Sequence, residues 1–251
     1  MLNEFSRMEI LLGEKRMRKL ASSKIAVFGL GGVGSFAVEA LARCGVGSLT
    51  LIDHDLVSVT NINRQLFALH STIGKPKTQV AKARIRDIND EILVHTYETF
   101  FNEDTEALFD FASFNYVIDA MDTLSSKLLL IEKAQKSRTP VISCMGTDNK
   151  LNTGALQIAD ISKAVMCPIG KTMRRELQKR GIRKVKVLFS REKPPVQTVA
   201  EGGETERILS GSISFMPGAA GMMIAGEVVK DLLFEGKEKG RLPFASGHRE
   251  S

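Results

Sequence analysis

The thirty residues from Lys24 to Asp53 constrain this chain most. An apolar run, KIAVFG, leads into the loop GLGGVGS, then a helical stretch, VGSFAVEALAR, and a second apolar run, SLTLID. A short apolar run ending in glycine marks a strand buried on both faces, as in a parallel sheet. Gly45 and Gly47 end the intervening helix. Gly29, Gly31, Gly32 and Gly34 allow a tight turn and let backbone N–H groups approach a phosphate. The helix that follows offers its positive end to an anion. This loop fits NAD, FAD and ATP alike.

The same alternation recurs downstream. Spacing predicts helices over Met8–Leu20, Lys77–Asn89, Glu103–Phe111 (Asn102 as its N-cap) and Ser125–Ser137, and strands over Ile92–Glu98, Tyr116–Asp119 and Val141–Cys144. Alternating β and α segments with apolar strands predict an α/β fold, a doubly wound, mainly parallel Rossmann-like sheet. Ligands bind beyond the carboxyl ends of such strands, so Gly29, Asp53, Asp119, Asp122 and Gly146 are expected to face one crevice. After Gly146 the pattern changes to a smaller C-terminal α+β extension. It comprises strands Leu156–Ile161 and Val185–Ser190 around a basic helix Lys171–Lys179, a polar loop Pro194–Gly211 and a last helix Ala219–Phe234. Expected boundaries are 24–146 for the nucleotide-binding core, 147–234 for the extension and 235–251 for a disordered tail.

The chemistry-bearing residues follow the second strand. Asp53 stands nineteen residues beyond Gly34, where an acid receives ribose hydroxyls. Asp55 is either a solvated loop residue or a support for the site. Arg64 and Lys77 are close enough in sequence to reach the same crevice. An arginine clamps phosphate oxygens in two places and a lysine supplies a point charge. With Asn61 beside them they favour a triphosphate over a redox dinucleotide, because phosphoryl chemistry needs charge held as it moves to the leaving group. Asp122, in DAMD, is placed to hold Mg²⁺ opposite those cations. A helix-capping role is its structural alternative.

Charge is uneven. Ten basic residues against Glu176 and Glu192 make 171–193 a +8 segment in a chain of +6 overall. Such a basic lobe suggests a polyanionic partner. Cys44, Cys144 and Cys167 are odd in number and lack C-x-x-C spacing, which argues against disulfides and structural zinc. The start MLNEFSRMEI is expected not to be a signal peptide, and Ile213–Gly226 is too short for a membrane span. A cytoplasmic location without membrane attachment follows as the expectation.

GxGGxG, LIDxDxVxxxNxxRQ, GKPK and DAxD, in this order, resemble the ubiquitin-activating-enzyme fold family, which includes the adenylyltransferases of molybdopterin and thiamine biosynthesis. The resemblance implies one ThiF-type adenylyltransferase domain over 1–234, in which a substrate carboxylate attacks the α-phosphate of ATP. By motif position, Gly29, Gly31, Gly32 and Gly34 would line the nucleotide and Asp53 would hold the ribose. Asn61, Arg64 and Lys77 would contact phosphates, and Asp122 would hold Mg²⁺. Arg7 would reach the phosphates of a neighbouring subunit, which implies a homodimer. Sulfur-carrier activators in this family carry paired C-x-x-C zinc ligands, absent here, and ubiquitin activators use an acceptor cysteine. The chain is more similar to tRNA threonylcarbamoyladenosine dehydratases, through LARCGVGSLTLID, the segment KTMRRELQKRGI…VKVLFSRE and SFMPGAAG. That likeness implies ATP-dependent cyclisation of the modified base. It makes 147–234 a tRNA-binding extension, with Lys171, Arg174, Arg175, Arg180, Arg183 and Lys184 on the tRNA. It also admits a cysteine desulfurase as a sulfur-transfer partner. Adenylation of a ubiquitin-like or sulfur-carrier C-terminus, a non-catalytic nucleotide-binding adaptor and a nicotinamide dehydrogenase are the competing readings.

Overall fold

The computed structural model describes residues 3–164, 167–193 and 211–234. The expected tail 235–251 and all of the expected 194–211 loop but Gly211 lie outside them. Seven strands form one sheet: β1 Lys24–Phe28, β2 Ser48–Ile52, β3 Leu93–Tyr97, β4 Tyr116–Asp119, β5 Val141–Cys144, β6 Leu156–Asp160 and β7 Lys186–Ser190. Their order is β3-β2-β1-β4-β5-β7-β6, and every neighbouring pair is parallel except β6 with β7. The sheet reverses its winding between β1 and β4, which opens a crevice beyond their carboxyl ends.

Helices cover both faces. They are α1 Ser6–Leu12, α2 Glu14–Ala21, α3 Gly32–Arg43, α4 Lys77–Ile88, α5 Leu124–Lys136, α6 Pro168–Lys179 and α7 Phe215–Leu233. One core layer joins α3, α4 and α7 to the sheet through Ala37, Leu41, Ile85, Ile224 and Val228. The other joins α5 and α6 through Leu130, Ile131, Met173 and Leu177. α7 lies against α3 through small residues. Gly218 packs on the Phe36 ring, and a Cβ on Gly221 would collide with the Val33 carbonyl.

Several expectations needed correction. The single helix over Met8–Leu20 is two, broken at Gly13, whose φ of +78° is left-handed and ends α1. No α-helix spans Glu103–Phe111. Asn102 Oδ1 accepts from the Asp104 and Thr105 N–H groups, but it caps only a turn. Phe101, Phe109 and Phe111 instead wrap the buried Phe28 ring at centroid distances of 4.9, 5.3 and 5.9 Å. No straight helix could place all three on one ring. The basic helix starts at Pro168, a favoured first position, and the last at Phe215. β6 and β7 lengthen the main sheet.

Candidate active site

The crevice encloses about 310 Å³. Its floor is the glycine loop. Gly29 has φ +91°, and a Cβ there would sit 2.6 Å from the Ala120 carbonyl oxygen, so only glycine lets β1 and β4 close together. The loop then turns into the N-terminus of α3. Gly31 and Gly32 line the crevice, and Gly32 is roofed by Pro217 from the first turn of α7. Gly34 does not line it. That residue packs directly beneath, where any side chain would strike the Gly29 carbonyl. Its lack of a side chain brings α3 onto β1.

Asp53, at the end of β2, is nearly buried. Its Oδ2 accepts the Leu30 N–H at 2.6 Å and its Oδ1 the Asp55 N–H at 2.8 Å. The carboxylate therefore ties the glycine loop to the β2 loop while its remaining lone pairs face the crevice. Lys77, the first residue of α4, is buried to 5% exposure. Its ammonium lies 2.6 Å from Asp55 Oδ2 and 3.9 Å from Asp53 Oδ1. Asp55 is thus the support for Lys77. Asn61 Oδ1 accepts from the Ser58 N–H at 3.1 Å, which leaves its amide nitrogen as a donor. Arg64 Nη1 donates to the Thr60 carbonyl at 2.9 Å and to Asn63 Oδ1 at 3.1 Å. Asn61, Arg64, Lys77 and Asp122 all line the crevice with Gly29, Gly31, Gly32 and Asp53.

On the opposite wall, Asp122 is open to the crevice yet walled by protein. Desolvation, then the like charges of Asp148 and Asp119, raise its carboxyl above the usual range, while Lys127 and Lys77 pull it down. Asp119 was expected in the crevice and is instead fully buried below it. It accepts from Lys127 Nζ at 3.0 Å, from Ser143 Oγ, and from the Met121 N–H at 3.2 Å. This buried ion pair pins the loop that presents Asp122. Sequence spacing gave no sign of Lys127, nor of Asp148, Gln65, Thr123, Ser212 and Pro217, which line the crevice. Of these, only Gln65, which closes LIDxDxVxxxNxxRQ, and Pro217, within SFMPGAAG, lie in a quoted motif.

The cysteines are quiet. Cys144 reaches the crevice wall, but burial pushes its thiol up to about 11, which keeps it protonated at neutral pH. Cys167 Sγ accepts the Gly170 N–H at 3.4 Å as the N-cap of α6. Cys44 is raised by burial.

The expected tRNA residues lie on α6 and on the connection that follows it. α6 buries Gly170, Met173 and Leu177, which leaves Lys171 and Arg175 exposed and Arg174 half-buried on its outer face. The helix starts at the crevice end, with Ile169 near Gly146, and runs about 18 Å toward the other end of the sheet. Arg180, Arg183 and Lys184 are exposed there, and Arg180 pairs with Glu132 at 2.7 Å. Lys186 turns inward to Glu227 and Asp231. Arg7 is exposed on α1 and does not line the crevice of its own chain.

Known proteins share this fold and much of the sequence. The ThiF family model matches residues 5–249. The chain is 46% identical over 244 residues to the tRNA threonylcarbamoyladenosine dehydratase of Bacillus subtilis, covering 93% of this chain and 96% of that one. It is 39% identical over 168 residues to the enzyme of that name from Escherichia coli, covering 67% of this chain and 63% of that one. A crystal structure of E. coli tRNA N6-threonylcarbamoyladenosine dehydratase, TcdA, in complex with ATP superposes with a TM-score of 0.82 at 32% identity, covering 91% of this chain and 93% of that one. The chain belongs to the ThiF family, in its tRNA threonylcarbamoyladenosine dehydratase branch.

Proposed function

We propose that this chain catalyses ATP-dependent cyclisation, with loss of water, of threonylcarbamoyladenosine in tRNA. The observation that carries the proposal is a crevice holding Arg64, Lys77 and Asp122 over the glycine loop, in a chain that matches a named dehydratase over 93% of its length. A carboxylate oxygen of the modified base bonds to the α-phosphorus as the bond to the departing pyrophosphate breaks. The carbamoyl group of the same base then attacks the activated acyl carbon. AMP leaves with the carboxylate oxygen, so no enzyme nucleophile is needed. That suits a crevice whose one thiol, Cys144, is held protonated. Ring closure needs orientation and a good leaving group.

The residues divide the work. N–H groups of the glycine loop and the start of α3 receive phosphate oxygens, and Asp53 holds the ribose. Arg64, Lys77 and the Asn61 amide stabilise charge as it moves onto pyrophosphate. Asp122 fits Mg²⁺, which commonly binds through one or two carboxylates with waters and phosphate oxygens. Asp148 and Asp119 repel Asp122, and a cation would relieve that repulsion. The ion would neutralise phosphate charge. The cluster Asp53, His54 and Asp55 is a weaker candidate, since the Lys77 ammonium already answers it.

The exposed basic track along α6 would dock the tRNA backbone through Lys171, Arg174, Arg175, Arg180, Arg183 and Lys184. Residues 1–234 would act as one domain, with 24–146 for the nucleotide and 147–234 for the tRNA. Arg7, on the outside of its own chain, suits a contact to the partner's crevice in a homodimer. A cysteine desulfurase partner would couple without sulfur passing to Cys144 or Cys167, given their burial and capping roles. Among the described residues no helix is long and apolar enough to cross a membrane, and a tRNA substrate favours the cytoplasm.

Incubation with ATP, Mg²⁺ and bulk modified tRNA, followed by nucleoside mass spectrometry, tests the proposal. Loss of water from the modified base is expected. Adenylation of a carrier-protein C-terminus without that loss would overturn it in favour of the carrier-activating alternative.

A further inference from the structure

Arg64 has five N–H donors. Its Nη1 is spent on the protein, on the Thr60 carbonyl at 2.9 Å and Asn63 Oδ1 at 3.1 Å. Among the described residues no acceptor meets Nε or Nη2. Those two nitrogens form the edge that binds phosphate in a fork. Asn63 is exposed and has no place in the crevice lining, but its other amide atom is also used. Nδ2 donates at 2.9 Å to the carbonyl of Ser212, 149 residues away and on the crevice wall.

We infer that Asn63 is a positioning residue for the nucleotide. With the Thr60 carbonyl it pins the Nη1 end of Arg64, so the Nε–Nη2 edge is presented to phosphate before ATP arrives. The same amide clasps the backbone that leads into α7. The arginine is therefore in its binding pose only when the approach to α7 is docked on the β2–α4 loop. Pre-orienting a flexible, entropy-rich side chain in this way strengthens binding by removing an ordering cost. The clasp also links the two halves of the crevice wall: the β2–α4 loop holds Arg64, while Ser212 on the approach to α7 and Pro217 in its first turn form the other.

The inference rests on Arg64 contacting ATP, and a double-mutant cycle separates the two. ATP dissociation constants are measured by calorimetry, with Mg²⁺ and without tRNA, for wild type, Asn63→Ala, Arg64→Ala and the double variant. Melting temperatures of the same four proteins are measured without nucleotide. Asn63→Ala is expected to weaken ATP about fivefold, the scale of one ordinary net hydrogen bond, while the ATP-free melting temperature holds. In the Arg64→Ala background the same substitution is expected to have no further effect. An equal loss in both backgrounds, or wild-type affinity in Asn63→Ala, overturns the positioning role. Wild-type affinity in Arg64→Ala overturns the phosphate contact itself. A fall in ATP-free melting temperature that accounts for the lost affinity shows that Asn63 merely supports the loop, and refutes the inference.

Discussion

Lys77→Met isolates the role of a buried ammonium. Methionine keeps the apolar stem at the start of α4 and removes only the charge. The cost to folding is limited by what Lys77 touches. Its 2.6 Å partner Asp55 is half exposed, so that pair contributes at most about 1 kcal/mol. The buried Asp53 lies farther off at 3.9 Å and keeps its two backbone donors. A charge pair at that separation interacts by about 4 kcal/mol at an effective dielectric constant near 20, and the desolvation of both groups offsets most of it. A net loss of about 1–2 kcal/mol follows, which lowers the melting temperature by about 2–8 °C in a chain of this size. Catalysis should suffer far more. A donor facing developing charge in a water-poor crevice is worth about 3–4 kcal/mol, or about 10²–10³ in rate. Single-turnover dehydration of modified tRNA at saturating ATP, read by nucleoside mass spectrometry, measures this. A rate within about threefold of wild type, or one reduced only by the unfolded fraction, would refute the assignment.

Cys144→Ala should keep near wild-type turnover, because the thiol is protonated and no acyl transfer to it is required; a loss of about a hundredfold would reinstate a thiol step. Neutralising Arg174, Arg175, Arg180 and Lys184 together should flatten the salt dependence of tRNA binding in filter assays. The log–log slope should fall by roughly 0.7–0.9 for each phosphate that is no longer neutralised. An unchanged slope would remove α6 from the interface. Gly221→Ala should lower the melting temperature by about 2–10 °C, since its methyl must displace α7 from the Val33 carbonyl; an unchanged melt would show that the helices can separate freely. In the Lys186 cluster, burial alone would raise the Glu227 carboxyl, but Lys186 and Lys230 together hold it below its ordinary value. That contribution is fully present above the ordinary carboxylate range and is lost as pH falls below it, through the lowered value. Lys186→Met should therefore destabilise the protein at pH 7 and flatten the decline of melting temperature on acidification, and parallel curves would count against it.

Much of the crevice could be read from the chain because its parts lie at strand ends. Gly29 and Asp53 follow β1 and β2 directly, Asp122 comes three residues after β4, and the apolar strands are unmistakable. Lys77 was legible through the proline before its helix. What escaped reading depends on neighbours distant in sequence. Pro217 roofs Gly32 from nearly two hundred residues away. Lys127 is buried by an acid that spacing alone placed in the open. The Glu103–Phe111 segment has helix-forming residues, yet aromatic packing on Phe28 outweighs that local preference. Gly13 looked harmless inside a helical period until its left-handed backbone split the helix. Gly34 belongs to the loop motif by pattern but to helix packing by geometry, a distinction the spacing of glycines does not encode.

The roof that α7 places over the glycine loop bears on biosynthesis. Chains fold from the N-terminus as they are made, and the sheet strands β1 to β5 are all translated well before Phe215. A nascent chain could assemble that sheet and still lack Pro217 above Gly32 and the Ser212 carbonyl on Asn63. Competence to take up ATP would then arrive late and abruptly, with the emergence of α7. Ribosome-stalled chains of increasing length should acquire nucleotide protection from protease only once that helix has cleared the exit tunnel.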